Sequence, residues 1–171
     1  VNTADGQRTP MLQRQRGNVQ VSPSGKYGLY FRDNDWYVAA LADGRAVNVT
    51  KAVGFPFHVE DHDSPSDPPS WGTAGWTRDE KHVLLNDRYD IWQVATDGSG
   101  AINLTDGIGR KNRIIFRYQR LEPPVPGEAG GIDPSKPLLL SAVSEWTREE
   151  GLYRDRIDGA APERLIWGNK S

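Results

Sequence analysis

The sequence predicts an all-β chain, a partial β-propeller of about three four-stranded antiparallel blades. Three observations carry that expectation. First, one passage occurs twice at a constant offset: Lys26 and Lys81, Leu29 and Leu84, Asp35 and Asp90, and Asn48 and Asn103 are each 55 positions apart. A fixed offset held across several landmarks marks a repeat architecture. Second, each copy consists of short runs in which apolar and polar residues alternate, the pattern of half-buried strands. Third, the runs are punctuated by Asn, Asp and Gly, which tolerate positive φ and suit tight hairpins. A four-stranded meander cannot bury both faces alone, so copies must stack, and stacking around an axis gives a propeller.

The elements follow in order. Residues 1–18 are a lead-in segment, and 19–54 form the first blade, with strands at Tyr27 to Phe31 and Trp36 to Leu41 and a turn at Asp33-Asn34-Asp35. Residues 55–73 are an inter-blade loop, and 74–107 form the second blade, with strands at Val83 to Leu85 and Ile91 to Ala95 around Asn86-Asp87-Arg88. The third unit, 108–171, is more divergent. Its strands are expected at Ile114 to Leu121, Pro137 to Val143, Leu152 to Ile157 and Glu163 to Trp167, and Leu139 again lies 55 beyond Leu84. Its Pro- and Gly-rich loop, 122–136, reads as a flexible surface connection between two strands of one blade.

Two stretches resemble the propeller region of large bacterial peptidases of the prolyl oligopeptidase family. One is Glu60-Asp61-His62-Asp63 through Asn86-Asp87-Arg88-Tyr89-Asp90-Ile91-Trp92-Gln93, and the other is Ile132-Asp133-Pro134 through Leu152-Tyr153. More loosely, Val21-Ser22-Pro23-Ser24-Gly25-Lys26 is similar to the strand openings of TolB-type propellers. The resemblance implies a propeller that restricts which peptides reach a following α/β-hydrolase domain. It brings no catalytic residue to this chain, because the nucleophile elbow Gly-x-Ser-x-Gly does not occur in it; Gly98-Ser99-Gly100 is a turn after Asp97.

Composition bounds the rest. The chain has 171 residues, 18 Gly, 12 Pro and six Trp, in keeping with a turn-rich, aromatic-packed sheet protein. With 21 basic and 23 acidic residues the formal net charge is -2, so there is no electrostatic case for nucleic acid or an anionic membrane. The absence of Cys excludes disulfides, zinc ribbons and cysteine catalysis, and leaves the compartment open between periplasm and cytoplasm. No apolar run reaches the ~20 residues that span a bilayer. No cofactor is expected. The missing initiator Met and the lack of a signal peptide read as a processed or excised segment.

The candidate binding residues lie in the inter-blade loop: His58, Glu60, Asp61, His62 and Asp63, five potential ligands within six positions. Two His and a carboxylate suit zinc or manganese, but no helical face aligns them on this Pro-rich loop, so a solvated loop is the expectation and no metal is assigned. Asn48-Val49-Thr50 and Asn103-Leu104-Thr105 read as glycosylation sequons, yet they occupy equivalent repeat positions, which strand-end structure explains. Asp33, Asp35, Asp87 and Asp90 lack the Gly and distal Glu of a calcium loop. Trp36, Tyr37, Trp76 and Trp92 read mostly as inter-blade core.

Three blades leave the first and last faces uncovered. Either a second copy closes the ring as a homodimer, or a missing catalytic domain covers them. The function expected is a non-catalytic binding or gating module that presents loops to a peptide or protein. The alternative is a fragment of an active serine peptidase whose α/β-hydrolase domain is absent from this chain; metal-dependent hydrolysis at His58 and His62 is a third reading.

Overall fold

The computed structural model describes residues 18–121, 123 and 130–169. Twelve strands form three antiparallel four-stranded meanders in chain order. Sheet one is β1 (Gln20–Val21), β2 (Tyr27–Arg32), β3 (Asp35–Ala40) and β4 (Ala46–Asn48). Sheet two is β5 (Thr73–Trp76), β6 (His82–Asn86), β7 (Ile91–Ala95) and β8 (Ala101–Asn103). A single helical turn, α1 (Ile108–Asn112), leads into sheet three: β9 (Ile114–Gln119), β10 (Leu138–Ser144), β11 (Glu150–Asp155) and β12 (Glu163–Gly168). No helix among the described residues is long and apolar enough to cross a membrane.

The 55-residue offset governs how the sheets stack. Leu29 packs with Val83, Leu85, Trp92 and Val94 of sheet two, and Leu84 packs with Phe116, Leu138, Leu140 and Ala142 of sheet three. Leu29 and Leu84 therefore occupy equivalent positions, each facing the next sheet, while Leu85 and Leu140 face the previous one. Side chains alternate along a strand, so this single register places every second residue of the middle strands in one of two inter-sheet cores. Three meanders stacked face to face in sequence are consecutive blades of a propeller.

By the same register, Leu139 of β10 looks away from both cores. Its side of sheet three also carries Ser141, Leu152 and Ile166, as the pairings Ser141↔Leu152 and Leu152↔Ile166 show, and Ile166 is 64% exposed. Sheet one is different. On its outer side Tyr30 and Ala39 are 2% and 0% exposed; Tyr30 stacks on Tyr37 at 5.4 Å beneath the Arg32 guanidinium. The expectation that both outer faces are open thus holds for sheet three and not for sheet one.

Two further expectations need correction. Sequence periodicity gives no sign of α1. The helix exists because Asp90, at the start of the β7 hairpin, accepts the backbone N–H groups of Gly109 (2.9 Å) and Arg110 (3.1 Å), which a first helical turn would leave unpaired. The loop 122–136 is also more than a flexible connection. Residues 122 and 124–129 lie outside the described residues, but Ile132 is buried in the second core and pairs with Thr77 beyond β5, with Ile132 N–H donating to Trp76 O and Arg78 N–H to Ile132 O. That stitch ties the approach to β10 onto sheet two.

Candidate functional site

One end of the molecule gathers the β2–β3, β6–β7 and β10–β11 turns together with both inter-sheet connections, because each meander runs in the same direction. The turns are built differently. Asp33 and Asn34 both have positive φ (52° and 67°), the two-residue hairpin geometry their residue types allow. At the equivalent positions in sheet two, Arg88 and Tyr89 are held instead by Asp87, whose Oδ1 accepts the N–H groups of Tyr89 and Asp90, each at 2.7 Å, and whose Oδ2 accepts Trp92 Nε1 at 3.0 Å.

Beneath these turns the repeated Asp and Thr explain the two sequon-like strings. Thr50 Oγ1 donates to Asp35 and receives Trp36 N–H (2.7 and 3.0 Å); Thr105 Oγ1 donates to Asp90 and receives Ile91 N–H (2.7 and 3.2 Å). Each Thr is buried and locks the end of its sheet's fourth strand to the start of the third. The carboxylates of Asp35, Asp87 and Asp90 are thus committed to fold contacts. Burial, reinforced by the nearby Asp87 charge, raises the Asp90 pKa despite these hydrogen bonds.

An arginine network spans the junction of sheets two and three. Arg88 donates to Glu145 Oε1 at 2.7 Å, and Tyr89 OH donates to Glu145 Oε2 at 2.8 Å. These two bonds, with Arg88 first, hold the Glu145 carboxyl below its ordinary range. The guanidinium of Arg110 lies between the rings of Phe55 and Tyr89, 5.4 and 5.5 Å from their centroids, with Asp87 at 3.4 Å. Arg117 donates to the backbone oxygens of Phe116 and Arg88, and its burial lowers its pKa.

Outside this network lie two open features. The first is a groove of about 1000 Å³ between the β2–β3 hairpin and the segment before β5; Phe31 and Trp36 are among its lining, with Gln20, Asn34, Asp67 and Ser70. The second is the β10–β11 turn, where Trp146 is 79% exposed with the Arg113 guanidinium 5.8 Å from its ring centroid.

The five loop residues singled out in the sequence separate in space. The loop is closed at its base: His58 bridges Ser70, Val59 N–H donates to Pro69 O, and Trp71 N–H donates to Phe57 O. Asp61 reaches Arg88 at 3.6 Å and so joins the arginine network. His62 is hydrogen bonded to Ser66 Oγ at 3.1 Å, the His58 Nδ1 is buried without a partner, and Glu60 and Asp63 are exposed. Among the described residues no group of three or more His, Asp or Glu converges as a metal would require. The Arg88, Glu145 and Trp146 surface was not singled out in the sequence. Its one legible trace was Trp146, an aromatic residue in a turn, and it is 79% exposed.

Fold and site together define a propeller-type chain with an elaborated loop end. No family model matches the sequence, and no curated protein matches it. A solved structure of a TolB-like protein from Agrobacterium tumefaciens is similar, with a TM-score of 0.48 and 17% identity, over 92% of this chain and 51% of that one. The chain therefore spans about half the length of that protein.

Proposed function

We propose that the chain is a non-catalytic binding or gating module that presents its loop end to a peptide or protein. The observation that carries this reading is the open groove of about 1000 Å³ between the β2–β3 hairpin and the segment before β5. Two inter-sheet cores fix the position of every turn around it, and rigid scaffolds with shaped loop ends are where recognition concentrates. Phe31 and Trp36 supply an apolar wall, and the amides of Gln20 and Asn34 offer donors and acceptors suited to peptide backbone.

A peptide is the first ligand class to test, because the stretches 60–93 and 132–153 resemble the gating propeller of prolyl oligopeptidase family peptidases. Titration with a panel of acidic, basic and neutral labelled peptides, read by fluorescence polarisation, should give saturable binding by at least one class. A panel that shows none would overturn the reading, as would turnover of any peptide by the purified chain.

A further inference from the structure

The β10–β11 turn carries an exposed side-chain cluster that the fold does not use. We propose that Trp146, Arg148, Arg113 and Lys111 form a docking tip for an acidic segment of a partner polypeptide that also carries an apolar side chain. The inference rests on the binding role proposed above and names its partner's chemistry.

Charge complementarity is the first argument. Two carboxylates of the turn are already bonded within the protein: Glu145 accepts from Arg88 and Tyr89, and Glu149 accepts from Thr147 Oγ1 at 2.8 Å and Trp167 Nε1 at 3.1 Å. The cations point outward. Lys111 and Arg148 are exposed and have no ion-pair partner among the described residues, and Arg113 keeps only a 3.9 Å approach to the already doubly bonded Glu145. Around Trp146 the exposed cations Lys111, Arg113 and Arg148 thus outnumber the exposed Glu150 at the end of the same turn, in a chain whose overall charge is -2.

Backbone conformation is the second. Arg113 and Arg148 both sit at positive φ, 54° and 64°. Gly or Asn fills the left-handed region more readily than an ordinary L-residue. The two sites are adjacent, since Glu145 N–H donates to Arg113 O and Arg148 N–H to Ser144 O. The Arg113 guanidinium lies 5.8 Å from the Trp146 ring centroid, and Arg148 follows Trp146 in the same turn. A Trp that is 79% exposed offers a broad apolar surface with an N–H at its edge, the residue type that most often anchors an interface.

The test uses a fluorescein-labelled peptide of four glutamates and two leucines, against a control with lysines in place of the glutamates. Trp146→Ala and the double variant Lys111→Ala with Arg148→Asn should each weaken the acidic peptide about tenfold, the size of a modest anchor. Asn tolerates the left-handed region, so the fold is retained, and an unchanged melting curve checks this. Added salt should weaken the wild-type complex. Unchanged affinity in both variants, equal binding of the lysine control, or binding only to vesicles containing phosphatidylserine would overturn the proposal. Failure here with retained binding of another peptide leaves the binding role standing; no binding by any peptide removes both.

Discussion

Asp155 is the residue whose chemistry is most sensitive to its surroundings. It is 3% exposed, its Oδ2 has no hydrogen-bond partner, and burial pushes its pKa up to about 7. The folded state therefore holds a proton that the unfolded chain releases near pH 4. Stability is fully present below that point and falls as pH rises to about 7, then levels; the raised pKa of Asp90 acts in the same direction. Asp155→Asn should flatten the slope and raise the melting temperature at pH 8. A variant with the same pH profile as wild type would show that Asp155 is not the titrating group. The buried Thr pair gives a second expectation. Thr105→Val should cost about 1–3 kcal/mol by denaturant unfolding, since it strips a hydrogen bond from a fully buried carboxylate. Thr50→Val should cost less, because Asp35 is only half-buried and water can replace the lost bond.

At the scale of elements, two glycines set close approaches. A Cβ on Gly109 would lie 2.5 Å from Asp90 Oδ1 and 2.9 Å from Tyr89 O, so α1 can dock on the β7 hairpin only with no side chain there. A Cβ on Gly151 would lie 2.3 Å from Ile166 O and 2.6 Å from the Trp167 ring, which packs over it from β12. Either Gly→Ala change should destabilise by roughly 1–3 kcal/mol. Only the first should also loosen the docking of α1 on Asp90, visible as faster exchange at the Arg110 amide. Gly100, with open space at its Cβ, is the control expected to accept Ala without such a loss.

For the whole molecule, the asymmetry between its two outer faces is decisive. A ring closed by two copies would need sheet one's outer face, whose centre is already covered. Sheet three instead offers Leu139, Val143, Leu152 and Ile166 to solvent in part or whole. Association through that face is the expected response to its apolar area. Light scattering over a tenfold concentration range should show mass rising with concentration, and Ile166→Glu should return the chain to monomer. A constant monomer mass for the wild type would show that this face is stable in water alone.

The sequence by itself determined the fold class, the 55-residue repeat and eight of the twelve strands, the two middle strands of sheets one and two and all four of sheet three, because alternation and turn chemistry are local; the short outer strands β1, β4, β5 and β8 carry too few residues to show a period. Of Trp36, Tyr37, Trp76 and Trp92, read mostly as inter-blade core, the three Trp are each at most 7% exposed, while Tyr37 stacks on Tyr30 on the outer side of sheet one. What only the tertiary structure decided is where non-local polar pairs form. Asp61 was grouped with its loop neighbours as a candidate binding residue on a solvated loop, yet it bridges to Arg88 across 27 positions. Arg88 in turn bonds Glu145, 57 positions away. Asp90 builds α1 from a distance of 19 residues. None of these pairings has a period or a motif, since each depends on how two neighbouring sheets are stacked; the exposed Trp146 tip emerges only once that stacking has consumed the acids around it.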